Sequence, residues 1–198
     1  MKTLDHLSRS DMGSVFGELP DHAFSFIMAD CPWTFRTYSS KGLKKSAQAH
    51  YDCMDGLGIK ELPVSQLAAE DCLLWMWATW PMLPDALETI SAWGFQYKTG
   101  GVWAKRTING KLRWGTGFRL RSVCEPFLIA TRGQPKSARN VTNLVDGLAR
   151  EHSRKPDEAY KAAEAMMPDA RRVELFSRQA RPNWDTWGNE SSKFNGEE

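Results

Sequence analysis

The chain has 198 residues, 41% of them hydrophobic, and a formal net charge of +2, which suits one globular domain with a core of several strands and helices. Its most apolar run, Cys72 to Ala78, is only seven residues long, which excludes a membrane-spanning helix at that point. Met1 to Ser8 holds no apolar stretch of signal-peptide length, so the expected location is cytoplasmic, inside the cell that makes the protein and with its thiols reduced.

The first predicted element is a strand over Phe24 to Ala29, short and nearly continuously apolar as in a strand covered on both faces. Cys72 to Thr79 and Pro126 to Thr131 read the same way. Between them, Pro84 to Trp93 reads as a helix. Pro84 suits its first turn, Leu83, Leu87 and Ile90 share a face, and Gly94 stops it. Phe95 to Trp103 then returns as strand. Pro156, Asp157 and Glu158 open a second helix that Pro168 ends, and Arg172 to Phe176 follows as strand. The alternation predicts an α/β fold with helices on both faces of a central sheet. Residues 1–190 are expected to form a single domain, with 191–198 as a disordered tail. Arg36 to Asp52 and Arg106 to Ser122 are polar and are expected to be mobile loops flanking a site.

The first strand delivers Asp30, Cys31, Pro32 and Trp33 to its carboxyl end, the place where α/β sheets bind ligands. A carboxylate, a rigid carbonyl and an indole face together suit a planar base carrying an amino group. Asp30 can accept one N–H, the Cys31 carbonyl another, and Trp33 can cover the ring. An ordinary strand-to-turn exit has the same composition, so other parts of the chain must decide.

Charge is unevenly distributed. Lys105 to Arg139 holds nine basic residues and one acid, Glu125, so a segment of +8 sits in a body of −6. Such asymmetry points to a polyanionic partner, with nucleic acid the leading candidate because Trp103, Trp114 and Phe118 are interleaved with the cations. Candidate contacts are Arg36, Tyr38, Lys105, Arg106, Arg113, Arg119 and Arg121. Cys31, Cys53, Cys72 and Cys124 match no close-spaced zinc pattern, and the four histidines are scattered, so no metal site is expected.

Seven collinear blocks carry a family resemblance. They are Asp-Cys-Pro-Trp at 30–33, Leu-Leu-Trp-Met-Trp-Ala-Thr at 73–79, Ala-Trp-Gly-Phe at 92–95, Val-Trp-Ala-Lys at 102–105, His-Ser-Arg-Lys-Pro-Asp-Glu at 152–158, Glu-Leu-Phe-Ser-Arg at 174–178 and Trp-Gly-Asn-Glu at 187–190. In this order they resemble the MT-A70-like family of S-adenosylmethionine-dependent N6-adenine methyltransferases over about residues 24–190. The resemblance implies a Rossmann-like class I methyltransferase fold with a mixed, mostly parallel sheet and permuted motif order. It implies a catalytic set of Asp30, Cys31, Pro32 and Trp33. For S-adenosylmethionine it implies Asp30 and Pro32, Lys155 at the carboxylate, Glu174, Leu175, Phe176 and Arg178 around the adenosine, and Asn189 and Glu190 on the ribose. Cys31 stands where the family pattern has proline. The carbonyl survives that change, while the rigidity of a fixed φ is lost.

Alternatives stay open at this stage. Glu174 could instead pair with Arg171 or Arg172, and Asn189 and Glu190 could be ordinary turn residues. N4-cytosine methylation and a non-catalytic nucleic-acid-binding subunit are the rival functions. DNA is favoured over RNA, and a homodimer or a second subunit is left open. Trp75, Trp77, Trp93 and Trp103 are expected in the core.

Overall fold

The protein is described here from a computed structural model covering residues 15–33, 56–117, 119–151 and 154–195. Among the described residues seven strands form one sheet: β1 (Phe24–Ala29), β2 (Ala68–Trp77), β3 (Gln96–Arg106), β4 (Cys124–Arg132), β5 (Leu144–Leu148), β6 (Arg172–Leu175) and β7 (Trp184–Trp187). Their spatial order is β5-β3-β4-β2-β1-β6-β7. All neighbours run parallel except where β4 meets β2 and β3, so β4 is the one reversed strand of the described sheet. This is the Rossmann-like, mixed and mostly parallel arrangement expected. No helix among the described residues is long and apolar enough to cross a membrane.

Strand alternation sorts the core into two layers. Ile27, Ala29, Leu74, Met76, Val173 and Leu175 pack with helices α1 (Gly56–Glu61) and α2 (Leu83–Ala92). Phe26, Met28, Leu73, Trp75 and Trp77 pack on the other face with helix α3 (Asp157–Met166). Covering on both faces is why β1, apart from Ser25, and the second half of β2 are apolar. Trp75, Trp77, Trp93 and Trp103 are all buried, as expected. The indole N–H groups of Trp75 and Trp77 find no acceptor among the described residues. An unmet donor costs about 1–3 kcal/mol, whereas burying so large a side chain contributes about 4–6 kcal/mol, so the core tolerates both.

Helix α2 ends as its sequence predicts. Gly94 takes φ +79°, its N–H reaches the Ser91 carbonyl, and Phe95 N–H reaches Ile90, the paired bonds of a Schellman cap. At α3, Asp157 and Glu158 occupy the first turn, where the helix dipole favours carboxylates.

Three elements escaped the sequence reading: α1, β5 and β7. β5 and β7 lie at the two edges of the sheet. Each needs only one well-buried side chain, Val145 in β5 and Trp184 in β7, so their apolar signal is weak. Two loop expectations also change. The 106–124 connection is laced by backbone bonds, among them Thr107 N–H to Lys111 and Gly115 N–H to Ser122, rather than loose. Residues 191–195, expected as part of a tail, form turns, and Phe194 is buried. The loop predicted at Arg36 to Asp52, with candidates Arg36 and Tyr38, lies outside the described residues.

Candidate active site

β1 runs directly into Asp30, whose N–H still donates to the Leu175 carbonyl of β6, so the parallel ladder fixes the backbone under the carboxylate. The chain then turns sharply, with Trp33 N–H donating to the Cys31 carbonyl at 2.8 Å. The Trp33 indole N–H donates to the Trp77 carbonyl at 3.2 Å, tying the exit of β1 to the end of β2. Trp33 is only 4% exposed and belongs to the core layer over α1 and α2. Its ring, expected to cover a base, is buried here, and its N–H ties the turn to β2. Pro32 is half-buried, and burial, reinforced by the Asp30 charge, pushes the Cys31 thiol well above its ordinary pKa, so it stays protonated.

Around Asp30 runs a chain of ion pairs. Lys155 Nζ lies 2.8 Å from Asp30 Oδ2 and 2.9 Å from Glu125 Oε1, and it sits over the Trp77 ring at 5.3 Å. Glu125 Oε2 meets Lys105 Nζ at 2.6 Å, and Lys105 lies over Trp103 at 4.8 Å. Arg178 approaches Asp30 Oδ2 at 3.6 Å and Glu190 at 3.3 Å. Burial alone would raise the Glu125 pKa, but Lys155 and Lys105 outweigh it and bring it from 4.5 to about 2. Burial works against the Lys155 ammonium, and Asp30 and Glu125 outweigh that too, holding its pKa above the usual lysine range.

A second cluster stands beside it. Glu174, at 4% exposure, accepts from Tyr160 Oη at 2.6 Å and from Ser177 Oγ at 3.0 Å, and its pKa is raised by burial, which the two donors only partly oppose. Neither pairing considered for it with Arg171 or Arg172 forms. Arg171 pairs with Asp185, and Arg172 donates to the carbonyls of Met167 and Pro168. Ser177 can reach back to Glu174 because Phe176 turns the chain at φ +61°, a conformation costly for an aromatic residue. Gly188 permits that turn: at φ +156°, a Cβ there would come within 3.0 Å of Phe176 backbone. Tyr160→Phe is expected to cost about 1–3 kcal/mol in urea unfolding, since it strands a buried acceptor; unchanged stability would remove the hydroxyl from the account.

Asp30, Lys155, Glu174, Phe176 and Arg178 line one narrow recess that opens to solvent. Four cations border it, Arg154, Lys155, Arg178 and Arg181, against the carboxylates of Asp30 and Glu174. Leu175, expected around the same ligand, is fully buried in the core. Asn189 is exposed, and Glu190 is tied to Arg178 and Lys193 beside the recess. Of the basic candidates, Lys105 is committed to Glu125, Arg106 forms a two-bond pair with Asp146, and Arg113 donates to the carbonyls of Ala149 and Arg150. Arg119 is exposed, and Arg121 lies over Trp114.

With this geometry in view, the comparisons are specific. The profile of the MT-A70 family matches residues 24–190. The chain belongs to the MT-A70 family. It is 31% identical over 196 residues to the Type II methyltransferase M.MunI of Mycoplasma sp, covering 89% of this chain and 82% of that protein. The human N(6)-adenine-specific methyltransferase METTL4 is 29% identical, and the human N(6)-adenosine-methyltransferase catalytic subunit METTL3 is 28% identical. Those alignments take in 86% and 84% of this chain but only 38% and 28% of the two human proteins. Within the MT-A70 match lie all the residues of both clusters, including Glu125, Tyr160 and Ser177, which sequence reading missed. Glu125 carried one usable signal, as the sole acid of the basic segment.

Proposed function

We propose that the chain transfers a methyl group from S-adenosylmethionine to the N6 amine of adenine in nucleic acid, with DNA favoured over RNA. The observation that carries this reading is the Asp30 carboxylate, fixed at the end of β1 on the border of a cation-rich recess. The names of the family relatives support adenine as the base, and the near full-length correspondence to a Type II methyltransferase supports DNA.

The donor set fits the cofactor. Lys155 suits its carboxylate, Glu174, Phe176 and Arg178 its adenosine, and Asn189 and Glu190 its ribose hydroxyls. Bound there, it supplies an electrophilic sulfonium methyl. The protein must then make a poor nucleophile attack. The adenine N6 lone pair is delocalised into the ring, and two acceptors on its N–H bonds favour the localised, tetrahedral form. Asp30 is one acceptor. The Cys31 carbonyl is the other, since its bond from Trp33 N–H leaves a second lone pair open. Asp30 opposes the positive charge that develops on N6 as the new bond forms, and it or water takes the proton the methylated amine must lose. A target within a duplex has to leave its stack.

The test is transfer of labelled methyl to unmodified DNA and RNA, followed by nucleoside digestion and mass spectrometry. N6-methyladenine in DNA is the expected product. N4-methylcytosine would replace the base assignment, and modified RNA alone would reverse the polymer preference.

A further inference from the structure

The hairpin joining β3 to β4 carries side chains that neither the core nor the recess uses. Trp114 is 63% exposed. Arg121 lays its guanidinium over that indole at 5.1 Å, and its Nε–H donates to the Gly115 carbonyl at 3.2 Å. The backbone tether fixes the arginine, and the arginine braces one side of the ring. The main chain is held as well, with Arg113 N–H on the Lys105 carbonyl at 2.7 Å and Gly115 N–H on Ser122 at 2.6 Å. A ring presented in this way loses little freedom when it makes a contact.

Its position links it to the recess. Lys105, on the rung beside Arg113, reaches Glu125, which shares Lys155 with Asp30. The hairpin therefore rises from the rim where Asp30 stands. Its own sequence is one-signed: from Arg106 up to Glu125 there is no acid, and Lys111, Arg113, Arg119 and Arg121 all fall within it, while Asp146 and Glu125 pair with Arg106 and Lys105 at its base. An apolar surface in such a field suits a polyanion better than a neutral protein partner. Aromatic faces beside cations are also the general device for holding unpaired bases.

Resting on the reading above, the geometry points to Trp114, braced by Arg121, as a stacking platform for a base flanking the target adenine. Arg121 serves twice, holding the indole and meeting the polynucleotide backbone. The platform compensates for the stacking lost when the target base leaves its neighbours.

The experiment is fluorescence anisotropy of the full chain with labelled single- and double-stranded adenine-containing DNA across a range of salt, with methyl transfer measured in parallel. Stacking predicts that Trp114→Ala weakens binding about tenfold, with Trp114→Phe restoring most of it. An indole carries no charge, so Trp114→Ala should leave the salt slope unchanged, whereas Arg121→Ala should flatten it. Wild-type-like binding by Trp114→Ala overturns the platform and leaves the methyltransferase reading intact. Weakened binding in a protein whose wild type forms no N6-methyladenine keeps the platform and overturns the reaction. A wild type that binds no DNA, or a Trp114→Ala chain that only changes its oligomeric state in sedimentation, overturns the platform in favour of a protein contact.

Discussion

Asp30→Ala is expected to lower kcat for methyl transfer by about a thousandfold, the scale seen when one fixed group facing developing charge is removed. Folding should survive the change. Lys155 keeps Glu125 as its partner at 2.9 Å, and the β1–β6 ladder uses the Asp30 backbone, not its side chain. The cofactor's dissociation constant, measured by calorimetry, should therefore move by far less than kcat. Asp30→Asn sharpens the test by keeping the shape while replacing one acceptor oxygen with a donor. Turnover within about tenfold of wild type in either variant would dismiss Asp30 from the reaction, since so small a loss is below what such a group supplies.

Lys155→Met should have the largest effect on stability. The side chain is 6% exposed and joins two carboxylates that are each 15% exposed, so the substitution leaves two half-buried anions without their shared counter-ion. Buried ion pairs add little net stability, but breaking one costs about 3–5 kcal/mol, and urea unfolding at neutral pH should lose that much. Glu125→Gln in the same chain should recover part of it, as coupled partners do. The pH dependence has a definite sign. Because the native Glu125 pKa is lowered from 4.5 to about 2, its contribution is fully present above pH 4.5 and is lost as pH falls toward 2. In Lys155→Met that acid-side decline should be shallower, since the native carboxyl moves back toward its ordinary value. Equal stability at neutral pH in variant and wild type would show that the network carries no such weight.

Much of the fold was legible because its evidence was local. β1 is bounded by composition alone, and α2 announces both ends, with Pro84 in the first turn and Gly94 at the cap. β5 and β7 were not, because an edge strand that buries one residue leaves almost no periodic signal. The convergence of Asp30, Lys155, Glu174, Phe176 and Arg178 on one recess was anticipated through the collinear blocks. What those groups do to one another was not. Tyr160 and Glu174 are 14 positions apart, and their hydrogen bond exists only once α3 lies across β6. Trp33 shows the same limit from the other side. A tryptophan after a proline reads identically whether it faces a ligand or the interior, and only the assembled core puts its N–H on Trp77.

The reversal of β4 also bears on how such a protein can change. Parallel neighbours must be joined by crossovers that pass over the core, so their connections are constrained by packing. β3 and β4 are antiparallel, and their 107–123 connection is a direct hairpin at the rim. Residues can be added to or removed from that hairpin without moving a core layer. On the function proposed above, recognition of the polymer and chemistry on the base would fall on parts of the chain that can diversify at different rates.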